Sequence, residues 1–538
     1  MRARQAWLTL QRRIAGSLGR EVARIAPAPH RGFARYRREY ERDLDRSFFP
    51  SSVTEVVRDA ERSHVVHVGD FHALGESQRT ALRLLEELRT RPRPVILGLE
   101  MAERRRQADL DAFFAGRLSE AGLRRKLRWE ESWGFDWEGY RDVLRFARAH
   151  GVRLLALNEA DARATLADRD RAAAETVAAA TLREPRAIVI TLMGELHVSR
   201  SHLPAAVARA LAARGARRRQ LVIHQSPERL YWALAARGLE DRVGVVRLQG
   251  GDAYAVFTAT PAAQHFAFLD WLDRSERVTI STDDAALEAD WSLVDLTDSL
   301  KLVVEAIARY FEVPTRGLLD FTLSTGDPEE FLHLLRVRRR ATAAEIRRLK
   351  RLVSLGPGTF LPQGNHVFLP RFTLGEAGAL AAQLIHRVRA GSPREPMAPR
   401  QYFYFRVWRE ALGILGRKLL DPKTDLCRPR AKRRDERSRL VDSLLARHDT
   451  LARRDDASNA SARWKFPFRQ PLEIHVPLTR AIGAEIGEAM FRAILDESLS
   501  RAEARAIFLR PLHPGDAAAE LYFALRRRLL EAPRAAAT

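Results

Sequence analysis

The sequence predicts an α/β fold, a mostly parallel or mixed sheet covered by helices, followed by a mainly α-helical C-terminal region. Between residues 51 and 260, apolar runs rich in β-branched residues alternate with helical patterns, as in a parallel sheet buried on both faces. Several of these runs end in polar side chains. Beyond Pro261 the pattern changes to long amphipathic helices.

Two of the apolar runs end in the same short pattern. His64–His72 (HVVHVGDFH) and Ala187–His197 (AIVITLMGELH) are each a β-branched run followed by glycine, two residues and histidine. The runs Pro94–Glu100 (PVILGLE) and Val152–Glu159 (VRLLALNE) lie between them and also end in polar groups. Because ligand crevices in such sheets lie beyond the carboxyl ends of the strands, these polar ends are expected to meet at one edge.

The side chains expected at this edge can bind a divalent transition metal ion. They are His72, Glu100, Asn158, Glu195 and His197. Two imidazoles with one to three carboxylates form a suitable ligand set, and a further carboxylate can act as a general base. The glycine before each histidine is expected to permit a sharp turn out of the strand. No HExxH motif is present, so ordinary zincin chemistry is not supported.

Structural roles are the alternative for each of these residues. A lone histidine after a strand is more often a helix N-terminal residue than a ligand, whereas two matching units favour a shared site. Tyr140 lies in the aromatic turn WGFDWEGY, which either supplies flat apolar surface for a cofactor or packs under the following helix.

Length and composition exclude several classes of protein. The chain has 538 residues, which is too many for a single hydrophobic core. Of these residues 46% are hydrophobic, as in globular proteins. The net charge of +22 comes mostly from arginines spread along the chain, so no specific nucleic-acid binding is expected. The single cysteine, Cys427, excludes an intramolecular disulfide and a multi-cysteine metal site.

The N-terminal segment has the pattern of an amphipathic helix, with Trp7, Leu10, Ile14, Leu18, Val22 and Ile25 on one face. Such a helix either packs on the protein or lies on an anionic membrane surface, which would give peripheral membrane contact. Gln11, Arg12 and Arg13 interrupt the apolar stretch too early for an export signal, and the chain has no 18-residue apolar run. A cytoplasmic protein is therefore expected.

The chain is expected to divide into five regions. They are a basic amphipathic helix and connector (1–48), an α/β domain closed by a hairpin (49–262), a helical region (263–425), a charged linker (426–464) and a helical C-terminal region (465–538).

The stretch from about His64 to Phe257 resembles the ChaN-like haem-binding uptake family, within the wider Tiki/TraB superfamily. The resemblance runs through VVHVGDFHALGESQ, VILGLEMAERRRQADLDAFFAGRLSE, WGFDWEGYRDVLRFARAHGVRLLALN and GELHVSRSHLP. It implies an α/β fold with a mixed sheet and a crevice lined by the glycine-histidine units. ChaN-like proteins are associated with haem and iron binding, and Tiki relatives are metal-dependent peptidases with paired GxxH motifs.

On matching positions the resemblance implies a site made of His72, Glu100 and His197, with Asn158 nearby. The first unit usually reads GExH in these families, whereas here Asp70 replaces the glutamate. The export signal and lipid-bearing cysteine of ChaN lipoproteins are not found, and the helical half resembles no family.

The leading functional expectation is a ChaN-like protein that binds haem or iron in the crevice. Haem requires an apolar slot and an axial ligand, for which Tyr140, His72 and His197 are the candidates. Asp70 and Asn158 are expected beside the cofactor.

Two alternatives stay open. One is a metal-dependent hydrolase of the Tiki type acting on small peptides, with the metal on His72, His197 and Glu100 and with Glu100 and Glu195 as catalytic carboxylates. The other is a non-catalytic scaffold whose basic helices bind a partner or a membrane surface.

Overall fold

The structure is a computed structural model that describes most of the chain. The described residues are 2–25, 31–159, 164–274, 280–282, 285–287, 296–326, 328–339, 342–343, 346–347, 349–350, 353, 359–361, 365–391, 393, 396–423, 436–454, 466–513 and 515–531. The strands are β1 (Phe48–Pro50), β2 (Val65–Asp70), β3 (Val95–Glu103), β4 (Arg153–Asn158), β5 (Ile188–Gly194), β6 (Gln220–Gln225), β7 (Val245–Leu248), β8 (Ala253–Val256), β9 (Ile280–Thr282), β10 (Ala285–Leu287), β11 (Thr322–Thr325), β12 (Thr359–Leu361) and β13 (His366–Leu369).

The α-helices within these residues are α1 (Arg2–Ile25), α2 (Arg31–Asp43), α3 (Val53–Glu61), α4 (Gly75–Arg89), α5 (Gln107–Phe114), α6 (Glu120–Lys126), α7 (Trp129–Ser132), α8 (Trp137–Ala149), α9 (Leu166–Arg183), α10 (Leu203–Ala212), α11 (Glu228–Ala236), α12 (Pro261–Arg274), α13 (Leu296–Tyr310), α14 (Pro328–Arg339), α15 (Leu374–Ala390), α16 (Pro399–Leu420), α17 (Glu436–Arg454), α18 (Leu472–Leu495), α19 (Arg501–Leu509) and α20 (Ala517–Arg526). Short 3-10 helices occupy Arg104–Arg106 and Glu195–Val198, and a π-helix occupies Arg527–Glu531.

The chain forms two compact units. The α/β unit comprises Gly19–Val294 and Lys423–Arg428, and the helical unit comprises Met1–Leu18, Asp295–Pro422 and Pro429–Thr538. The division therefore lies beyond the boundary expected between residues 262 and 263. Helix α12 explains the difference, because it packs on the α/β unit. Trp271 of this helix stacks on Phe135 with ring centroids 4.5 Å apart, and its Nε1 donates to the Gly134 carbonyl at 2.9 Å.

The sheet of the α/β unit has eight strands in the order β1-β7-β8-β6-β2-β5-β3-β4. From β8 to β4 all neighbours are parallel, and β1, β7 and β8 pair antiparallel. The predicted mixed sheet covered by helices is confirmed, as is the antiparallel hairpin formed by β7 and β8.

The strands next to the sheet centre are buried on both faces, as their sequences predict. All six residues of β2 are buried. Val66 and Val68 join the core under α4 and α8, whereas Val65 faces the opposite core under α9 and α10. This alternation fixes the register, because a shift by one residue would exchange the two faces.

The helical unit is built on close contacts between α15, α16 and α18. At Gly416 an added Cβ would lie 2.1 Å from the Gly378 carbonyl oxygen, and at Gly487 it would lie 2.4 Å from the Ala411 carbonyl oxygen. Glycine is required at both positions because the backbones approach too closely for any side chain. Mainly helical structure beyond the sheet was predicted and is confirmed.

The amphipathic face of α1 is buried in the protein. Trp7, Leu10, Ile14 and Leu18 are buried, and the Trp7 indole Nε1 donates to the Leu419 carbonyl at 2.8 Å within the helical unit. The expectation that this helix packs on the protein is thus met for its first half. No helix in the described part of the chain combines the length and the apolar character needed to span a membrane.

The charged segment predicted as a linker over 426–464 contains the 19-residue helix α17. This prediction is wrong for Glu436–Arg454, and Cys427 lies outside the described residues. Leu444, His448 and Ala452 form a buried stripe at a spacing of four residues. Three anchors on an otherwise charged helix are too few to stand out in a sequence pattern.

Three buried histidines make the helical unit sensitive to acid. Burial lowers the pKa of His386 to about 4, of His448 to about 3 and of His475 to about 4. The unfolded chain therefore binds more protons below pH 6.5, so the stability present above that pH falls as the pH drops. We expect each histidine to lower the free energy of unfolding by at most about 2 kcal/mol at pH 5.

Thermal unfolding of the full chain measures this effect. The unfolding temperature should fall between pH 7.5 and pH 5, and it should fall less in His448→Gln, which cannot titrate. An equal pH dependence of the unfolding temperature in the two proteins would show that His448 does not cause the sensitivity to acid.

Candidate functional site

Three strands bring the predicted site residues together. Strand β5 lies between β2 and β3, so His72, His197 and Glu100 meet beyond the carboxyl ends of neighbouring strands. His72 Nε2 lies 3.7 Å from Glu100 Oε2, and His197 Nε2 lies 3.5 Å from Glu100 Oε1. Both imidazoles therefore face one carboxylate, as the matching glycine-histidine units predict.

Asp70 stands behind His72 and orients its ring. His72 Nδ1 lies 2.9 Å from Asp70 Oδ2, which also accepts a hydrogen bond from the Tyr140 hydroxyl at 2.5 Å. The amide of Gln78 donates to Asp70 Oδ1 at 2.6 Å. Both oxygens of Asp70 are thus occupied within the protein, and its role in the geometry is to position His72.

His197 has an equivalent partner that sequence reasoning missed. Its Nδ1 lies 2.7 Å from Asp170 Oδ1, and the Tyr36 hydroxyl donates to Asp170 Oδ2 at 2.6 Å. Asp170 is buried on α9 in the same stripe as Ala173, Ala174 and Val177. A carboxylate within an apolar helix face is the signal that could have revealed it.

The charges at the centre of the site stabilise one another. Burial alone would raise the pKa of Glu100, but His197 and His72 and the Gly194 N–H, which donates to Oε2 at 2.5 Å, lower it below the usual value. Burial alone would lower the pKa of His197, but Asp170 and Glu100 raise it to about 9. The pKa of His72 is likewise raised, because Asp70 and Glu100 outweigh its burial.

The lack of a side chain at Gly194 lets these groups lie close together. A Cβ built on it would lie 3.2 Å from His72 Nε2, 3.4 Å from Glu100 Oε2 and 3.4 Å from His197 Cδ2. Its backbone angles, φ −47° and ψ 144°, suit any residue, so the backbone conformation alone does not require glycine at this position. The glycine matters here because a side chain would fill the space between the two histidines and Glu100.

Glu195 and Asn158 occupy the margin of the site. Glu195 Oε1 is buried without a hydrogen-bond partner among the described residues, and burial, followed by the charge of Asp70, raises its pKa to about 8. Asn158 ends β4 beside Glu103, and in the described structure its buried Oδ1 accepts no hydrogen bond. Glu195 therefore carries a proton at neutral pH, and Asn158 stays outside the network of contacts around Glu100.

An aromatic wall flanks His72. The ring of His72 lies 4.6 Å from Trp133 and 5.0 Å from Phe135, measured between centroids. Tyr140 is buried beneath this wall, where burial and Asp70 raise its pKa well above 10. The buried phenol, whose hydroxyl donates to Asp70, has the packing role considered for Tyr140.

Comparison with known proteins tests the resemblance. Residues 56–169 match the family model for haem-binding uptake, Tiki superfamily, ChaN. The resemblance is confirmed over this segment of the chain. A search of curated proteins found no match.

Two solved structures are similar to part of the chain. One is described as cofacial heme binding to ChaN of Campylobacter jejuni, with 14% identity over 33% of this chain and 87% of that chain and a TM-score of 0.27. The other is the type III effector HopBA1, with 13% identity over 39% of this chain and 96% of that chain and a TM-score of 0.28. Similarity at this level carries no argument about activity.

The described residues contain no group of three or more His, Cys, Asp and Glu side chains already arranged as a metal centre. His72 and His197 each pair with Glu100, and their Nδ1 atoms pair with Asp70 and Asp170 respectively.

Proposed function

We propose that the crevice holds one divalent transition metal ion between His72, His197 and Glu100, and that the α/β unit is a metal-dependent hydrolase. One observation carries this proposal. Two histidines, each backed by its own carboxylate, face a third carboxylate beside Gly194, where no side chain intervenes. Carboxylate-backed histidines are the usual form of imidazole metal ligands.

The residues fit such an ion in type and spacing. Asp70 and Asp170 take the Nδ1 side of each ring and leave Nε2 facing Glu100. The separations of 3.5 and 3.7 Å to Glu100 are close to the about 3.3 Å between ligand atoms of a tetrahedral zinc-type site. Small rotations of the side chains, with loss of the histidine protons, would complete the ligand set.

The other groups of the crevice suit hydrolysis. An ion of this class supplies a water activated at neutral pH. Glu195, protonated because of its burial, can donate a proton to the amine or alcohol that leaves. Trp133 and Phe135 offer apolar surface beside His72 for a side chain of a small peptide or ester substrate.

Haem binding is the second candidate, and the match to the ChaN family model favours it. His72 is the most accessible of the expected axial ligands, since its side chain is 21% exposed against 5% for His197. The aromatic wall of Trp133 and Phe135 next to His72 would supply flat apolar contact. Tyr140, buried and protonated, does not fit as a ligand.

Metal analysis and an absorption spectrum of the purified full chain distinguish the two functions. We expect about one zinc or manganese ion per chain, cleavage of small peptides or esters that chelation abolishes, and no sharp Soret band with hemin. A Soret band that is lost in His72→Ala and kept in Tyr140→Phe, without tightly bound metal, would replace the hydrolase by the haem binder.

A mutant cycle tests whether the two histidines act together. His72→Ala and His197→Ala should each weaken binding of zinc by about 100-fold, and the double variant should bind no more weakly than the worse single variant. The reason is that a site without one ligand has already lost its closed arrangement. Fully additive losses, measured by competition with a metal indicator, would mean that the two residues act apart.

A further inference from the structure

The helical unit contains a cavity that the proposed hydrolase does not use. Its volume is about 290 Å³, and its walls come mainly from α15, α16 and β12. Apolar and cationic side chains line it together, namely Phe360, Leu380, Leu384, Phe405, Arg387 and Arg409. This volume is close to the lower end of the usual range for small-molecule sites.

Two arginines in this cavity form no ion pair with an acidic side chain of the described residues. The guanidinium carbon of Arg387 lies 4.2 Å from the centroid of the Phe360 ring, and Arg409 forms neither an ion pair nor a side-chain hydrogen bond there. The nearby carboxylate of Glu410 is already paired with Arg406 at 3.1 Å and with Arg480 at 3.7 Å. Neither guanidinium is therefore neutralised by an ion pair among the described residues.

The two guanidinium groups also affect each other. Burial lowers the pKa of Arg409 to about 10, and the neighbouring cations Arg406 and Arg387 act in the same direction, while Glu410 opposes them. His386 adds no charge at neutral pH, because burial lowers its pKa to about 4, and its Nε2 lies 3.2 Å from the Arg510 carbonyl oxygen. Among the described residues, the lining of the cavity is thus electropositive and contains no acidic side chain.

We propose that this cavity binds a phosphate monoester that carries a small apolar group. Two uncompensated guanidinium groups match the two negative charges of a phosphate monoester near neutral pH, and the planar guanidinium is suited to bidentate phosphate contacts. Phe360 holds the face of the Arg387 guanidinium, which leaves its N–H edge available. Leu380, Leu384 and Phe405 would cover the apolar group.

Calorimetric titration of the full chain with three probes tests the proposal, in the presence of a chelator so that no metal ion contributes. The probes are phenyl phosphate, inorganic phosphate and benzoate. Phenyl phosphate should bind most tightly, because inorganic phosphate lacks the apolar group and benzoate carries one charge. Arg387→Gln and Arg409→Gln should each weaken its binding about ten-fold or more.

Two controls separate this site from other effects. Arg492→Gln removes a charge from an exposed arginine of the same unit, which pairs with Glu488 at 3.4 Å, and should leave binding unchanged. Glu100→Gln, in the other unit, should also leave it unchanged, so this proposal and the hydrolase can fail independently.

Stability without ligand gives a second readout. Arg409→Gln should unfold at the same temperature as the wild type or a higher one, because it removes a charge that other cations oppose. Lower stability would mean that Arg409 has a structural role. Such a loss of stability would overturn the proposal. So would the absence of heat with phenyl phosphate, or binding of phenyl phosphate that survives both arginine substitutions. Tighter binding of benzoate than of phenyl phosphate would overturn it in favour of a carboxylate site.

Discussion

Glu100→Gln is expected to reduce metal-dependent hydrolysis about a thousand-fold or more, with the fold intact. The Glu100 carboxylate is the group that both His72 Nε2 and His197 Nε2 face, at 3.7 and 3.5 Å. Glutamine keeps an oxygen that can accept the Gly194 N–H, but it lacks the charge needed to hold a cation between two imidazoles. Cleavage of small peptides or esters by the metal-loaded protein measures the effect.

Glu103→Gln is the matched control. Glu103 lies at the end of the same strand, β3, where it pairs with Arg105 at 2.6 Å, away from the two histidines. Its substitution should leave metal content and hydrolysis unchanged. Hydrolysis that persists in Glu100→Gln, with the metal still bound, would show that the reaction does not depend on this carboxylate.

Gly194→Ala should weaken metal binding strongly, because its methyl group would press against the ligand side chains. The new methyl carbon would lie 3.2 Å from His72 Nε2 and 3.4 Å from Glu100 Oε2, which is tight but not a clash. The backbone angles at Gly194 are acceptable for alanine, so the change in the free energy of unfolding should stay within about 1 kcal/mol. We expect zinc affinity to fall at least about 100-fold, measured by competition with an indicator.

Gly69→Ala provides the comparison for this variant. Gly69 is the equivalent glycine of the first unit, but a Cβ there would meet the Val198 side chain at 3.2 Å rather than the ligand atoms. It should therefore retain metal binding if it folds. Normal zinc affinity in Gly194→Ala would mean that the ion, if bound, lies elsewhere.

The strands and the principal site residues are predictable because they depend on local patterns. Continuous apolar runs such as those ending at Asp70 and Gly194 indicate strands buried on both faces, and parallel strands bring their carboxyl ends to one edge. His72, Glu100 and His197 follow from those two rules alone. Which strands are neighbours does not follow from them, nor does the register shift between Leu99 and Glu103 that pairs Asn158 with Glu103 rather than with Glu100.

The groups behind the histidines were not predictable in the same way. Asp170 and Tyr36 reach His197 from helices that no motif marks, and Gln78 reaches Asp70 from α4. Their roles depend on how helices pack over the sheet, which is a tertiary property. The same applies to the glycine at 194, whose function is set by atoms from three other segments and not by its own backbone angles.

The position of β5 in the sheet has a consequence for any attempt to excise this region. The segment that matches the family model ends at residue 169, before β5 begins at Ile188. Yet β5 lies between β2 and β3 and pairs with both, so a fragment ending there would lack the strand that separates its own two halves. During synthesis, too, His72 and Glu100 must wait for a strand made about ninety residues after Glu100 before they share an edge. The crevice therefore requires β5, and the matched segment does not contain all the strands that form it.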